Sequence, residues 1–232
     1  MYDFLTNAVK TQYCVIRMLK EGQRGWVELL RHNESGERFV FRSFEGSAEV
    51  YKKLLSVDCP NLPRVYEAAG KDGRCAVLEE YIQGDSLDFL LRDSLCTPAE
   101  TRDISLQLCR GLWVLHSLGA VHRDIKPENI ILRGDEAVLI DFDASRLHKQ
   151  GPDSDTRVLG TTGYAAPEQY GFSQTDQRAD IYSLGVVMNV MLTGQHPSRA
   201  LAGGRLGRII EKCTMTSPSR RYKNIARLME EL

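Results

Sequence analysis

The sequence predicts an α+β protein in two parts, a small β-rich lobe over residues 1–83 and a helical lobe over residues 84–232. Two observations predict this division. Short apolar strands bounded by turn residues fill the first third of the chain, and helical spacing of apolar residues replaces them after Gly84. The length of 232 residues suits one large domain or two small lobes, and the apolar fraction of 42% is too high for a disordered chain.

The β-rich lobe is predicted to alternate strands and turns around one helix. Apolar residues separated by charges predict that helix over residues 47–55, and the prolines Pro60 and Pro63 end it. The predicted strands are residues 13–19, 26–30, 38–42, 64–69 and 74–79.

Three helices are predicted to dominate the second lobe. Thr97 and Glu100 have the spacing of a capping box at the start of the first, and Gly119 is the expected C-cap. Residues 180–192 are apolar on almost every side, which predicts a helix buried in the core. Residues 224–232 form a short amphipathic helix.

Composition and charge exclude several functional classes. The formal net charge of −1 argues against a nucleic-acid partner. The six cysteines form no C-x-x-C pair, so free thiols in a reducing compartment are expected. The first ten residues lack the features of a signal peptide, and the longest apolar run, residues 181–192, is too short to cross a bilayer. We therefore expect a cytoplasmic protein with no membrane segment in this chain.

Three segments carry the residues suited to chemistry. They are HRDIKPEN at residues 122–129, IDFD at 140–143 and GTTGYAAPE at 160–168. In this order and spacing the chain resembles the eukaryotic-type, or Hanks-type, protein kinases, and Lys126 is typical of the Ser/Thr branch. The resemblance implies a protein-kinase-like bilobal fold and transfer of the γ-phosphate of ATP to Ser/Thr hydroxyls of protein substrates. The compact length is compatible with a bacterial member.

The resemblance also implies roles for individual residues of these motifs. Phosphoryl transfer needs positioned groups and counter-charge, so Asp124, Lys126 and Asn129 are the expected catalytic residues. Asp124 would orient or accept the proton of the attacking hydroxyl, and Lys126 would neutralise charge near the γ-phosphate. Asn129 and Asp141 offer the hard oxygen ligands that Mg²⁺ prefers.

Further residues are expected to hold the architecture together. By resemblance, Glu168 pairs with Arg221, and Asp180 anchors the backbone of the catalytic loop. Thr161 matches the threonine that bridges Asp124 and its neighbouring lysine. These are positioning rather than chemical roles.

The nucleotide-binding positions depart from the family pattern. Lys20 replaces the first glycine of the phosphate loop, and Arg42 replaces the lysine of the third strand. Arg42 would bind phosphate, with Glu49 as its expected partner, or fill the pocket, and Lys20 could supply the missing ammonium instead. Glu79 is a charge at a position that is usually apolar, and Arg42 or Lys53 would have to pair with it. The expected nucleotide-binding residues are Gly22, Gly25, Val27, Arg42, Glu49 and Glu80.

Two other functions stay open. Lys20, Arg42 and Asp143, which replaces the glycine of Asp-Phe-Gly, favour a pseudokinase acting as a nucleotide-binding or scaffolding module. An aspartate at the place of Asp143 also occurs in small-molecule kinases of the aminoglycoside phosphotransferase type, which lack the Ala-Pro-Glu of residues 166–168. The intact catalytic-loop and metal positions favour an active enzyme.

Regulation and substrate contacts are less constrained. Ser154 and Thr156 lie in a polar stretch and are candidates for autophosphorylation, with Arg123 as a partner for the phosphate; an unmodified acidic loop is the alternative. Residues 195–220 leave little room for the helix that usually precedes the last ones. A helical lobe shortened in this region is therefore expected.

Overall fold

The computed structural model of the chain describes residues 1–147, 161, 163–170 and 175–232. The chain divides into two compact units, Met1–Ile82 and Gln83–Leu232. The first unit is a five-stranded antiparallel sheet with two helices, and the second is mainly helical, which confirms the predicted α+β class.

The sheet of the first unit has the strand order β1-β2-β3-β5-β4. Its strands are longer than predicted because the flanking polar residues also join the ladder. Their bounds are β1 Tyr13–Gly22, β2 Gly25–His32, β3 Arg38–Glu45, β4 Val65–Lys71 and β5 Arg74–Glu80.

One face of this sheet is covered by a helix that the sequence did not predict, α1 at Tyr2–Gln12. Its buried residues Leu5 and Val9 join a core cluster with Leu30 and Phe41. The apolar face of α1 is short, with Leu5 and Val9 buried and Tyr2 partly buried against the same cluster, so the sheet stabilises the helix by covering that face.

The opposite face of the sheet carries helix α2, Glu49–Leu54, which is shorter than the predicted span. Successive residues of a strand point to opposite faces, so Arg42 lies on this side while Phe41 faces α1. The Phe44 and Tyr51 rings pack with centroids 5.8 Å apart, and the Arg42 guanidinium lies 5.8 Å from the Tyr51 centroid.

The second unit is organised around two long helices. The first of them begins with the predicted capping box, since the Thr97 hydroxyl accepts from Glu100 N and the Glu100 carboxylate accepts from Thr97 N at 2.7 Å. Gly119 follows it with φ of +74°, in the left-handed region. The helices are α3 Leu87–Leu90, α4 Pro98–Ser117, α5 Arg178–Thr193, α6 Gly204–Cys213 and α7 Ile225–Glu231.

Short strands frame the loops between these helices. A three-stranded sheet has the order β6-β8-β9, and a two-stranded sheet pairs β10 with β7. Residues 194–203, between α5 and α6, form turns and extended backbone rather than a helix. The strands are β6 Asp85–Ser86, β7 Ala120–Val121, β8 Ile130–Arg133, β9 Glu136–Leu139 and β10 Arg146–Leu147.

Candidate active site

The loop between β7 and β8 brings the predicted catalytic residues together around one carboxylate. Asp124 Oδ2 accepts hydrogen bonds from Asn129 Nδ2 and Lys126 Nζ, each at 3.0 Å, and Oδ1 accepts from Thr161 Oγ1 at 2.7 Å. Lys126 Nζ also donates to Thr161 Oγ1 at 2.7 Å, which confirms the predicted bridge. Three donors therefore fix the orientation of the Asp124 carboxylate.

A buried aspartate holds the backbone of this loop. Asp180 is fully buried and accepts from His122 N at 2.9 Å and Arg123 N at 2.8 Å, which confirms its predicted anchoring role. His116 Nε2 lies 2.8 Å from the same carboxylate. Burial alone would raise the pKa of Asp180, but the hydrogen bonds from the His116 side chain and the Arg123 backbone outweigh it. The pKa is thus lowered, and the carboxylate stays charged.

His122 connects the catalytic loop to the segment that carries Asp141. Its Nε2 lies 3.2 Å from Ile140 O, its Nδ1 accepts from Asp124 N at 3.3 Å, and its ring packs edge-on against Phe142 at 5.2 Å. Burial lowers the pKa of His122, so the ring is neutral and this pattern places its proton on Nε2.

Two residues of the site have strained backbones. Arg123 has φ of +73° and Asp141 has φ of +69°, in the left-handed region that side chains with a Cβ avoid. Such conformations cost of order 1–3 kcal/mol each and persist where the surroundings determine them. For Arg123 the surroundings include Asp180 on its N–H and Gln169, which donates to its carbonyl at 2.9 Å.

Asn129 and Asp141 fit a magnesium ion. Ile140 N donates to Asn129 O at 2.9 Å, which places Asp141 next to Asn129. Asn129 uses its Nδ2 on the Asp124 backbone carbonyl and carboxylate, so its Oδ1 is left as an acceptor. One amide oxygen and one carboxylate suit Mg²⁺, which keeps several waters. The described residues contain no cluster of three or more His, Cys, Asp or Glu side chains able to hold a metal.

A buried ion pair fixes the segment that follows Thr161. Arg221 binds Glu168 through two hydrogen bonds of 2.6 and 2.8 Å, as predicted. The Arg221 guanidinium also donates to three backbone carbonyls and lies 4.9 Å from the Tyr182 ring centroid. This pairing ties the Ala-Pro-Glu segment to the start of α5 and the end of α6.

The two glycines of the β1–β2 hairpin, Gly22 and Gly25, differ in whether the structure requires a glycine at that position. Gly25 has φ of +152°, and a Cβ there would lie 2.0 Å from Ser43 O on β3. Around the Gly22 Cβ position there is open space within 4 Å. Gly25 is therefore required by the sheet itself, whereas Gly22 is free to serve a ligand. Val27, one of the predicted nucleotide contacts, is buried directly opposite Arg42.

Arg42 pairs with Glu79 rather than with the expected Glu49. Arg42 Nε and Nη2 lie 2.9 and 2.8 Å from Glu79 Oε1, and the two side chains are 4% and 3% exposed. Arg42 stands opposite Val77, so Glu79, two residues along β5, shares its face of the sheet. Glu49 is exposed and its carboxylate accepts from the Ser47 hydroxyl at 3.3 Å. The expected Arg42–Glu49 pair is thus wrong, and the predicted need of Glu79 for a partner is met by Arg42.

Two further predicted residues, Lys20 and Glu80, lie on strands β1 and β5 of the same sheet. Lys20 is opposite Val27, which is opposite Arg42, so the register puts Lys20 in the same cross-strand row. Two strand spacings of about 4.8 Å separate Lys20 from Arg42 along that row. Glu80 ends β5, and its carboxylate accepts from Arg64 N at 3.1 Å.

Some predicted and unpredicted positions complete the site. Asp143 is partly buried in the turn after Phe142. The candidate phosphorylation sites Ser154 and Thr156 lie outside the described residues.

The sequence did not indicate His116 or Gln169 as parts of the site. A polar side chain on the buried face of the amphipathic helix α4 is the signal that could have indicated His116.

Comparison with known proteins decides the family. Residues 13–230 match the family model described as a protein kinase domain. The chain belongs to the protein kinase family. Helix α1 lies outside the matched residues, so the kinase domain of this chain carries an additional packed helix at its start.

The similar proteins are serine/threonine-protein kinases, several of them bacterial. The chain is 33% identical to PknJ of Mycobacterium tuberculosis over 87% of this chain and 37% of that protein. It is 31% identical to PknA of Nostoc sp. over 85% of this chain and 35% of the relative, and 30% identical to pkn2 of Myxococcus xanthus over 80% and 25%. These matches confirm a Hanks-type Ser/Thr kinase domain. The chain spans about a quarter to two fifths of the length of these relatives.

Proposed function

We propose that this chain is the catalytic domain of a Ser/Thr protein kinase that uses ATP and Mg²⁺. The observation that supports this most directly is the Asp124 carboxylate, oriented by Thr161, Lys126 and Asn129. A carboxylate held by three donors is suited to align a hydroxyl for attack on phosphorus, because catalysis of this transfer is mainly positioning and counter-charge.

The proposed step assigns each side chain one task. The hydroxyl oxygen of a substrate Ser or Thr attacks the γ-phosphorus, the bond from that phosphorus to the β–γ bridging oxygen breaks, and ADP leaves. Asp124 accepts the hydroxyl proton, and the Lys126 ammonium balances charge on the transferred group. Asn129 and Asp141 would hold Mg²⁺, which supplies further positive charge to the phosphates.

The nucleotide is proposed to meet residues of the first unit. Arg42, which the Glu79 carboxylate holds in one orientation, would supply the cation for the phosphates, and Gly22 leaves room for their approach. Lys20 is the alternative cation, because it lies in the same cross-strand row. Val27 and Glu80 are proposed as further nucleotide contacts. Lys20→Met and Arg42→Met variants separate the two cations: the variant with the larger rise in the KM for ATP identifies the phosphate ligand.

Asp124→Asn tests the proposal. This variant should lower transfer of labelled phosphate from ATP to a Ser/Thr protein by about 10²- to 10⁴-fold, because it loses the proton acceptor while keeping its shape. Asp93→Asn, an exposed substitution with the same charge change in the same unit, should transfer at the wild-type rate. Equal transfer by wild type and Asp124→Asn would reject the assignment.

A thermal-shift titration separates an enzyme from a nucleotide-binding module. Stabilisation by ATP that depends on Mg²⁺, together with phosphate transfer, supports the kinase. Stabilisation without any transfer to proteins would identify a pseudokinase instead. Transfer to small hydroxylated molecules but not to proteins would indicate the small-molecule kinase reaction.

Modification and location complete the proposal. Ser154 or Thr156 is proposed as a site of autophosphorylation, which mass spectrometry of the ATP-treated chain would detect. All six cysteines are free, as expected for a reducing compartment, and we propose a cytoplasmic location. Within the described ranges, no helix is both long and apolar enough to cross a bilayer.

A further inference from the structure

A cavity of about 440 Å³ lies in the second unit, between the segment after Thr161 and the loop after α5. The phosphoryl-transfer groups around Asp124 do not line it. Its lining residues are Gly163, Gly194, Gln195, His196, Ser198 and Arg199. We call it the Arg199 pocket.

The loop that forms the pocket is held rigidly by Asn189. This side chain is fully buried in the C-terminal half of helix α5, among apolar residues. Its Nδ2 donates to Gln195 O at 2.8 Å and Ala200 O at 2.7 Å, and its Oδ1 accepts from Ala202 N at 2.9 Å. One amide thus fixes both ends of the loop, so the pocket wall is formed before any ligand binds.

The pocket carries one available positive charge. Arg199 is exposed, and its guanidinium has no hydrogen bond or ion pair with any residue that the structure describes. His196 is occupied differently, because its Nδ1 accepts from Ser198 N at 3.1 Å. Burial, together with the charge of Arg199, lowers the pKa of His196, so the ring is neutral at pH 7.

The pocket lies next to the proposed site of transfer. Thr161 donates to Asp124, and Gly163 is only two residues further along the chain. Two residues of extended chain span at most about 7 Å. Gly163, at one wall of the pocket, thus lies within about 7 Å of Thr161, so a peptide whose hydroxyl meets Asp124 can reach the pocket with a residue a few positions from the acceptor.

We propose that the Arg199 pocket binds an acidic side chain, Asp or Glu, of the polypeptide substrate and makes this kinase select acceptors with an acidic neighbour. The proposal rests on the proposed kinase function. Arg199 supplies a charged, two-pronged donor for a carboxylate, and the loop fixed by Asn189 sets its distance from the acceptor.

The experiment uses a series of Ser-containing peptides in which one Glu is moved through the positions on each side of the acceptor, each paired with a Gln peptide. The readouts are kcat/KM for phosphate transfer and, without ATP, peptide binding by fluorescence anisotropy. Wild type should favour Glu over Gln at one position by about threefold to fivefold, the size expected of a solvent-accessible ion pair, mainly through KM. Arg199→Ala should bring this ratio to one, and Arg199→Glu should favour a Lys peptide at the same position.

Arg208→Ala is the matched control, because it removes an exposed arginine of the same unit away from the pocket. It should keep both the wild-type rate and the wild-type ratio. An equal loss of the Glu-to-Gln preference in Arg208→Ala would show that only the net charge matters and would overturn the proposal. An unchanged preference in Arg199→Ala would overturn it as well. If no peptide is phosphorylated, the kinase proposal fails, and the anisotropy ratio still decides whether the pocket selects acidic peptides.

Discussion

The buried Arg42–Glu79 pair makes a quantitative prediction about stability. Glu79→Gln removes the carboxylate but leaves the Arg42 guanidinium, 4% exposed, inside the first unit. Removing one partner of a buried ion pair costs about 3–5 kcal/mol, since the remaining charge stays desolvated and loses its counter-charge. The glutamine amide oxygen still accepts a hydrogen bond, so we expect a loss of about 3 kcal/mol in the free energy of unfolding.

Replacing both partners should cost much less than replacing one. Arg42→Met combined with Glu79→Leu puts apolar side chains of similar volume at both positions, and buried pairs replaced in this way are often neutral in stability. We expect the double variant to lie within about 1 kcal/mol of wild type. The difference between it and the sum of the single variants gives the coupling energy of the pair.

Urea unfolding at pH 7, followed by fluorescence, measures these quantities. The control is Glu230→Gln, which breaks the Arg227–Glu230 pair. Its side chains are 65% and 59% exposed, so this variant should unfold at the wild-type urea concentration. A Glu79→Gln variant as stable as this control would refute the argument, and so would a double variant that loses the full sum of its single substitutions.

Three further predictions concern a helix, a carboxylate and a cap. Leu5→Ala should lower the free energy of unfolding by about 3 kcal/mol, because Leu5 lies on the buried face of α1 and is 4% exposed. Phe4→Ala, at a side chain of the same helix that is 72% exposed, should change it by less than about 1 kcal/mol, and urea unfolding measures both variants. Asp180→Asn should destabilise by about 3 kcal/mol at pH 7. Folding lowers the pKa of the Asp180 carboxyl below its ordinary value of 3.8, so the charged carboxylate stabilises the folded chain fully above that value. The difference in unfolding free energy between wild type and Asp180→Asn should therefore shrink as the pH falls through the lower folded pKa. A difference that stays constant from pH 7 to 2 would contradict this. Thr97→Ala should cost about 1 kcal/mol through the lost cap of α4, and a serine at that position should restore most of it in thermal unfolding.

Features that depend on neighbours in the chain were predictable from the sequence. The capping box of Thr97 and Glu100 links residues three apart, so its pattern contains the whole interaction. In that case spacing alone determines which side chains can touch. The roles of Asp124, Lys126 and Asn129 came from the resemblance to protein kinases, and the three side chains meet within one short turn.

Features that depend on tertiary packing were not predictable. Helix α1 is stabilised by the sheet beneath Leu5 and Val9, and nothing in its own spacing shows that surface. The partner of Arg42 depends on the register of β3 and β5, which places Glu79 on the same face and leaves Glu49 exposed. Register is a property of the assembled sheet, so the family pattern led to the wrong carboxylate.

The contrast between Gly22 and Gly25 affects how divergent kinases are recognised. Gly25 must remain small whether or not a nucleotide binds, because the Ser43 carbonyl occupies the space of its Cβ. A lineage that stopped binding nucleotide would keep this glycine and could change Gly22 without harm to the hairpin. A glycine at position 25 is therefore explained by the sheet alone and is no sign of nucleotide binding, whereas the structure would accept a side chain at Gly22.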